Sequence, residues 1–215
     1  MTISRCSIRS IAYASCYVYS PAGTGVVCEQ SRLLRSLLKA GDAHFMVKYA
    51  VRVHQQAQES PQLAGFFRSD ALLVPVPGSR PNSCGSIWVA AYLADALVHA
   101  GLGAMAWRGL HRICPVRKSA TAAPGSRPTV ALHYESFLID RPTITAPSVV
   151  LIDDVVTKGR TLLAAAARLR EAFPEAEIRA FALLRTRGLV PGVARLLDPC
   201  TGEIRWKAGD AQRNP

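Results

Sequence analysis

Residues 148–161 read Ser-Val-Val-Leu-Ile-Asp-Asp-Val-Val-Thr-Lys-Gly-Arg-Thr, an apolar run that ends in two adjacent carboxylates, Asp153 and Asp154. A carboxylate pair at a strand end suits the hydroxyls of a sugar, or a cation held beside them. A short loop with Thr157, Gly159 and Thr161 follows, and then an alanine- and leucine-rich stretch over 161–173 with the character of a helix. A helix that starts directly after a Gly/Thr loop points unpaired backbone N–H groups at an anion. One segment therefore offers a hydroxyl clamp beside a phosphate cradle, which suits a ribose 5-phosphate. Lys158 and Arg160 add two cations to the cradle, and charge-assisted contacts are about twice as strong as neutral ones. They could equally face solvent or a partner. The competing reading is a plain strand–loop–helix with two solvated aspartates. It requires the carboxylate pair, Gly159 and both threonines to coincide by chance.

Two further stretches have the composition of anion loops. Residues 71–76 form a short apolar strand that runs into Pro75-Val76-Pro77-Gly78-Ser79-Arg80-Pro81. Such a turn can aim backbone amides outward, although alone it also reads as an ordinary turn. Residues 111–129 contain no acidic residue and, with Arg108 before them, five Lys or Arg side chains. This segment is predicted to be a long flexible loop, and long loops in compact domains are usually functional. Arg117 and Lys118 are its candidate anion contacts. A nucleic-acid or partner loop is the alternative.

These segments need a scaffold. Residues 1–27 read as short strands and turns. Helical spacing of Leu33, Leu34, Leu37 and Leu38 predicts a helix over 28–40, and a second is predicted over 43–59. Further expectations are a helix over 86–100, a strand over 104–110, one or two helical turns over 129–136, a short strand over 137–140 and a buried strand over 178–184. Residues 185–215 are polar and turn-rich, and the tail from Gly209 is expected to be disordered. Strands alternating with helices predict an α/β fold with a parallel sheet flanked by helices. The site then falls at the carboxyl ends of the strands, where 153–154 and 77–80 both lie.

In order and spacing, residues 149–161 resemble the phosphoribosyl-diphosphate (PRPP) signature of type I phosphoribosyltransferases. The Pro-Val-Pro strand end resembles the matching region of ComF-like members. The resemblance covers roughly 71–185. It implies a core over 71–190, an N-terminal appendage over 1–70 on the acceptor side and a partly disordered C-terminal extension over 191–215. It also implies roles for single residues. Asp153 and Asp154 hold the ribose as the catalytic pair. Val156, Thr157, Lys158, Gly159, Arg160 and Thr161 hold the 5′-phosphate. Gly78, Ser79, Arg80, Arg117 and Lys118 contact pyrophosphate under a mobile loop. Mg²⁺ is the implied cofactor, held mainly by PRPP with Asp153 and Asp154 as the candidate protein ligands. The implied reaction moves the phosphoribosyl group from PRPP to a nitrogen base or amine. Many members dimerise, so a homodimer is a further expectation. The chain departs from the family at Lys158 and Arg160, where smaller or less basic residues are usual. Thr157 stands where purine-salvage members carry an aspartate, which argues against a hypoxanthine or guanine acceptor. ComF proteins commonly begin with a cysteine-based zinc module, and the six cysteines here include no C-x-x-C pair.

Composition sets the outer bounds. The chain has 215 residues, 49% of them apolar, enough for one sizeable core. No run of eighteen apolar residues exists, so no membrane role is expected. The first twenty residues are more polar than a signal peptide usually is, so secretion is not expected and a cytoplasmic location is the default expectation. Lys and Arg number 26 against 15 Asp and Glu, a formal net charge of +11. Such a charge can steer polyanionic PRPP, or it can mark a nucleic-acid surface. The alternative function is thus a non-catalytic module that senses PRPP or a nucleotide and binds nucleic acid or a protein partner. A nucleotide phosphatase or kinase is not expected, because no Gly-x-x-x-x-Gly-Lys-Ser/Thr sequence is present to supply a P-loop.

Overall fold

The computed structural model describes residues 8–82, 86–117, 127–188 and 192–215. Its centre is a seven-stranded sheet. The strands, in chain order, are β1 (Ser10–Tyr19), β2 (Leu72–Pro75), β3 (Met105–Ala106), β6 (Ser148–Val156), β7 (Glu177–Thr186), β8 (Leu197–Lys207) and β9 (Asp210–Asn214). A separate two-stranded ribbon holds β4 (Leu110–Arg112) and β5 (Phe137–Ile139). The sheet order is β3-β2-β6-β7-β1-β8-β9, with the first five strands parallel and β8 and β9 antiparallel. The helices are α1 (Val26–Ala40), α2 (Ala43–Glu59), α3 (Val89–His99), α4 (Val130–Glu135) and α5 (Arg160–Ala172). The chain is therefore α/β, with a mostly parallel sheet flanked by helices.

A parallel strand buried on both faces reads as a continuous apolar run. In β6 the side chains then divide by parity. Val149 and Leu151 join one core with Leu162, Leu163 and Leu169 of α5. Val150 and Ile152 join the other with α1, α2 and α3 residues such as Leu34, Met46 and Leu97. Alanines 164–167 are buried, and their small side chains suit a helix lying close against the sheet. Gly41 at φ +72 ends α1, and the Asp42 carboxylate accepts the Phe45 N–H at 2.7 Å to start α2. That pair of caps sharply fixes the α1–α2 turn. Among the described residues no helix is long and apolar enough to cross a membrane.

The structure corrects several expectations. The N-terminal segment contributes β1, which lies between β7 and β8 within the sheet and does not stand apart as an appendage. The tail from Gly209 is ordered as β9. Ala208 and Gly209 both have positive φ, 50° and 82°, so a two-residue turn links β8 to β9. Positive φ at both central positions matches the right-handed twist of a hairpin. The predicted strand over 104–110 divides into β3 and the start of β4. Between them the chain folds tightly, and a Cβ on Gly109 would fall 2.1 Å from the Trp107 ring. The predicted loop over 111–129 is partly structured, since His111 and Arg112 pair with β5 and the Val116 N–H bonds to the Ser79 carbonyl at 2.8 Å. Residues 118–126, with the candidate Lys118, lie outside the described residues.

Candidate functional site

The apolar stretch of β6 carries Asp153 and Asp154 to the carboxyl edge of the sheet, between β2 and β7. The Asp154 N–H turns back to Asp153 Oδ1 at 2.8 Å, so the two carboxyl groups stay together. Their surroundings differ. Lys39 of α1 forms an ion pair with Asp154, which is buried. Asp153 lines an open cleft. Burial pushes the Asp153 carboxyl well above the usual range, and the adjacent Asp154 carboxylate pushes the same way. Burial acts on Asp154 too, but the Lys39 ammonium and hydrogen bonds outweigh it and hold Asp154 low. The two carboxyl groups are thus driven apart, Asp153 upward and Asp154 downward, so the cleft-facing member is the one that takes up a proton more readily.

The cleft holds about 100 Å³ and is lined by residues 155–162 together with Asp153 and Arg127. Gly159 caps α5 in the left-handed region at φ +84. Among the described residues, no acceptor takes the backbone N–H groups of Thr157, Lys158, Gly159, Arg160 or Thr161. They form the open head of a thirteen-residue helix, the arrangement that favours an anion. Arg127 Nε is buried and has no hydrogen-bond partner among the described residues. It is a donor an anion in the cleft can satisfy.

His133 of α4 supports the loop from behind. Its Nε2 lies 3.4 Å from Thr161 Oγ1. Burial, with the nearby Arg112 and Arg160 cations, lowers its pKa to about 4. It is therefore a neutral imidazole at physiological pH and adds no charge to the cradle. Lys158 and Arg160 both face Asp210, the first residue of β9.

The 77–80 turn begins beside Asp153, because the Val76 N–H extends the β2–β6 pairing to the Ile152 carbonyl at 2.9 Å. Arg112 holds this turn. Its guanidinium donates to the carbonyls of Gly78 and Pro77 and to Ser136 Oγ, and packs 4.3 Å over the Phe137 ring. Burial lowers its pKa to about 10, against the pull of Asp153. Gly78, Arg80 and Arg117 are exposed and Ser79 half-buried, and none of the four lines the cleft. The ribose and phosphate candidates thus converge on one cleft, apart from Asp154, while the pyrophosphate candidates stand outside its lining.

Lys39, Arg112, Arg127, His133 and Asp210 escaped the sequence reading. Each sits far along the chain from the residue it serves. Arg112 and Arg127 were legible only as members of a basic segment, and no local signal marks the others. Among the described residues no cluster of three or more His, Cys, Asp or Glu could hold a metal, and the described cysteines are free thiols. Comparison with protein-family models and with curated proteins finds no match for this chain.

Proposed function

We propose that this protein is a type I phosphoribosyltransferase that binds PRPP with Mg²⁺ and transfers the 5-phosphoribosyl group to a nitrogen acceptor, releasing pyrophosphate. The observation that carries the reading is the shared cleft: the Asp153 carboxyl opens onto the same 100 Å³ space as the head of α5 and its loop. A hydroxyl-binding group and a phosphate-binding group so close together suit one phosphorylated sugar.

In this reading the N–H groups of 157–161 and the threonine hydroxyls take the 5′-phosphate. Asp153 accepts from the ribose hydroxyls, and Asp154, pinned by Lys39, supplies the fixed negative charge behind it. As the bond from C1 to pyrophosphate breaks, positive charge builds on the sugar, and that charge favours the carboxylate pair. Gly78, Ser79, Arg80 and Arg117 are the groups available to the leaving pyrophosphate, with Lys118 beside them in sequence. The nitrogen lone pair of the acceptor then forms the new bond to C1. Mg²⁺ is usually bound through one or two carboxylates plus substrate phosphates. Asp153, which lines the cleft, fits that donor set, while Asp154, buried and paired with Lys39, would act from behind it, and the ion would neutralise charge on the diphosphate.

Calorimetric titration of PRPP with and without Mg²⁺, with ribose 5-phosphate as a control, tests the proposal. Micromolar binding that needs Mg²⁺ for PRPP supports it. No binding of either ligand overturns it.

One observation favours a second reading, a sensor that binds PRPP without turning it over and passes the signal to nucleic acid or a protein. Thr157 is exposed where a base for the acceptor proton would stand, and the nearby imidazole, His133, is buried behind Thr161. Release of pyrophosphate on adding a panel of bases and amines separates the two.

A further inference from the structure

The two cations that set the 157–161 loop apart are engaged by one carboxylate from a distant part of the chain. Asp210 Oδ1 accepts from Arg160 Nε, and Oδ2 accepts from Arg160 Nη2 at 2.6 Å and from Lys158 Nζ at 3.3 Å. The two contacts are unequal. The Arg160 side chain is 18% exposed, forms a fork on Asp210 and also donates to the Pro128 carbonyl at 3.2 Å. The Lys158 side chain is 55% exposed and makes one long contact. Bidentate guanidinium–carboxylate pairs are geometrically fixed, whereas exposed lysine pairs contribute little and exchange readily. Asp210 also accepts from the Ala211 N–H at 2.8 Å, which anchors it at the start of β9. Its pKa is lowered to about 2, chiefly by the hydrogen bond from Arg160, so it is ionised throughout the physiological range.

A carboxylate on a lysine and an arginine beside open backbone N–H groups stands where an incoming anion would seek its charge partners. We infer that Asp210 is an internal competitor for the phosphate group, and that a phosphate entering the 157–161 loop takes Lys158 from it while Arg160 stays on Asp210. The inference rests on the phosphate-loop reading above and adds a specificity determinant to it. Arg160 then acts as a pin between the loop and β9, and Lys158 as the cation that transfers. A dianionic phosphate monoester can draw Lys158 from a monoanionic carboxylate; a monoanion gains no such advantage. Asp210 therefore weakens all anion binding and selects for the dianion.

The experiment is titration of ribose 5-phosphate, with ribose as the uncharged control, into the wild-type protein, Asp210→Asn and Lys158→Met. Asp210→Asn keeps an oxygen that can accept from Arg160 but removes the competing charge, and it should bind roughly five-fold tighter. A merely structural role for Asp210 gives the opposite result, because a loosened hairpin weakens the loop. Lys158→Met leaves the Arg160–Asp210 fork untouched and should bind roughly five-fold more weakly. Equal or weaker affinity in Asp210→Asn, or unchanged affinity in Lys158→Met, overturns the inference while wild-type binding upholds the phosphate loop. Absence of binding in the wild type and both variants removes the phosphate-loop reading and the inference together.

Discussion

Ile204 of β8 packs directly on Gly159 of the anion loop, so closely that a Cβ at 159 would lie 2.7 Å from it. The strand that few sequence signals announce is therefore the lid on the best-marked residue of the site. Gly159 also sits at φ +84. Gly159→Ala combines a left-handed alanine, which costs about 1 kcal/mol or more, with a clash against a fully buried side chain. Thermal unfolding should show a loss of about 2–3 kcal/mol, and ribose 5-phosphate binding should fall with it. If instead Gly159→Ala alone has wild-type stability, the packing between hairpin and loop is not as described.

The carboxylate pair predicts a split between its members. Asp153→Asn leaves the Lys39–Asp154 ion pair intact and should abolish PRPP binding, measured by calorimetry, with little change in melting temperature. Asp154→Asn strands the Lys39 ammonium against a buried amide, and losing one partner of a buried charge pair costs about 3 kcal/mol. That figure is an upper bound, because Lys39 is half exposed and can turn to solvent. The double variant should fold and bind no PRPP. Wild-type-like affinity in it would exclude the site.

Arg112 should matter to one ligand more than another. It ties the 77–80 turn through the Gly78 and Pro77 carbonyls, and it touches no residue of the 157–161 loop in these bonds. Arg112→Met strands the buried Pro77 carbonyl, at a cost of about 1–3 kcal/mol, and frees the partly exposed Gly78 carbonyl to water. Pyrophosphate affinity should drop at least several-fold, with ribose 5-phosphate affinity nearly unchanged. Equal losses for both ligands would show that Arg112 acts on the whole sheet edge and not on the turn.

His133 predicts an acid-sensitive step in stability. Its folded pKa, about 4, lies below its ordinary value of 6.5. Between those two values the unfolded chain binds the proton and the folded protein does not, so stability must fall as pH drops through this window. The full effect is about 3 kcal/mol. Asp210 adds a second loss lower down: its depressed pKa supports the fold above about 3.8, and that support disappears as pH falls towards 2. Chemical denaturation between pH 7 and pH 4 should show the first slope, and His133→Gln should flatten it. A slope that persists in His133→Gln belongs to another group.

Local pattern determined much of this protein. The continuous apolar run before Asp153 dictates a doubly buried parallel strand, because nothing in it offers a polar face. Leucine spacing and the Gly41-Asp42 caps dictate α1 and α2, and Gly159 with its neighbouring threonines marks the loop at the head of α5. These signals are contained within a few residues, so they can be read without a fold. Tertiary structure decided the rest. Residues 204–207 do alternate apolar and charged, but the Ala208-Gly209 turn lacks the asparagine or aspartate that usually announces a hairpin. Pairing with β1 on one side and β9 on the other makes a strand of this stretch. The partners of the site, Lys39 for Asp154, Arg112 for the 77–80 turn and Asp210 for Lys158 and Arg160, come from segments dozens of residues away. Charge attracts through space and not along the chain, so which carboxyl group is pushed up and which cation is held more firmly was settled only when the sheet brought those segments together.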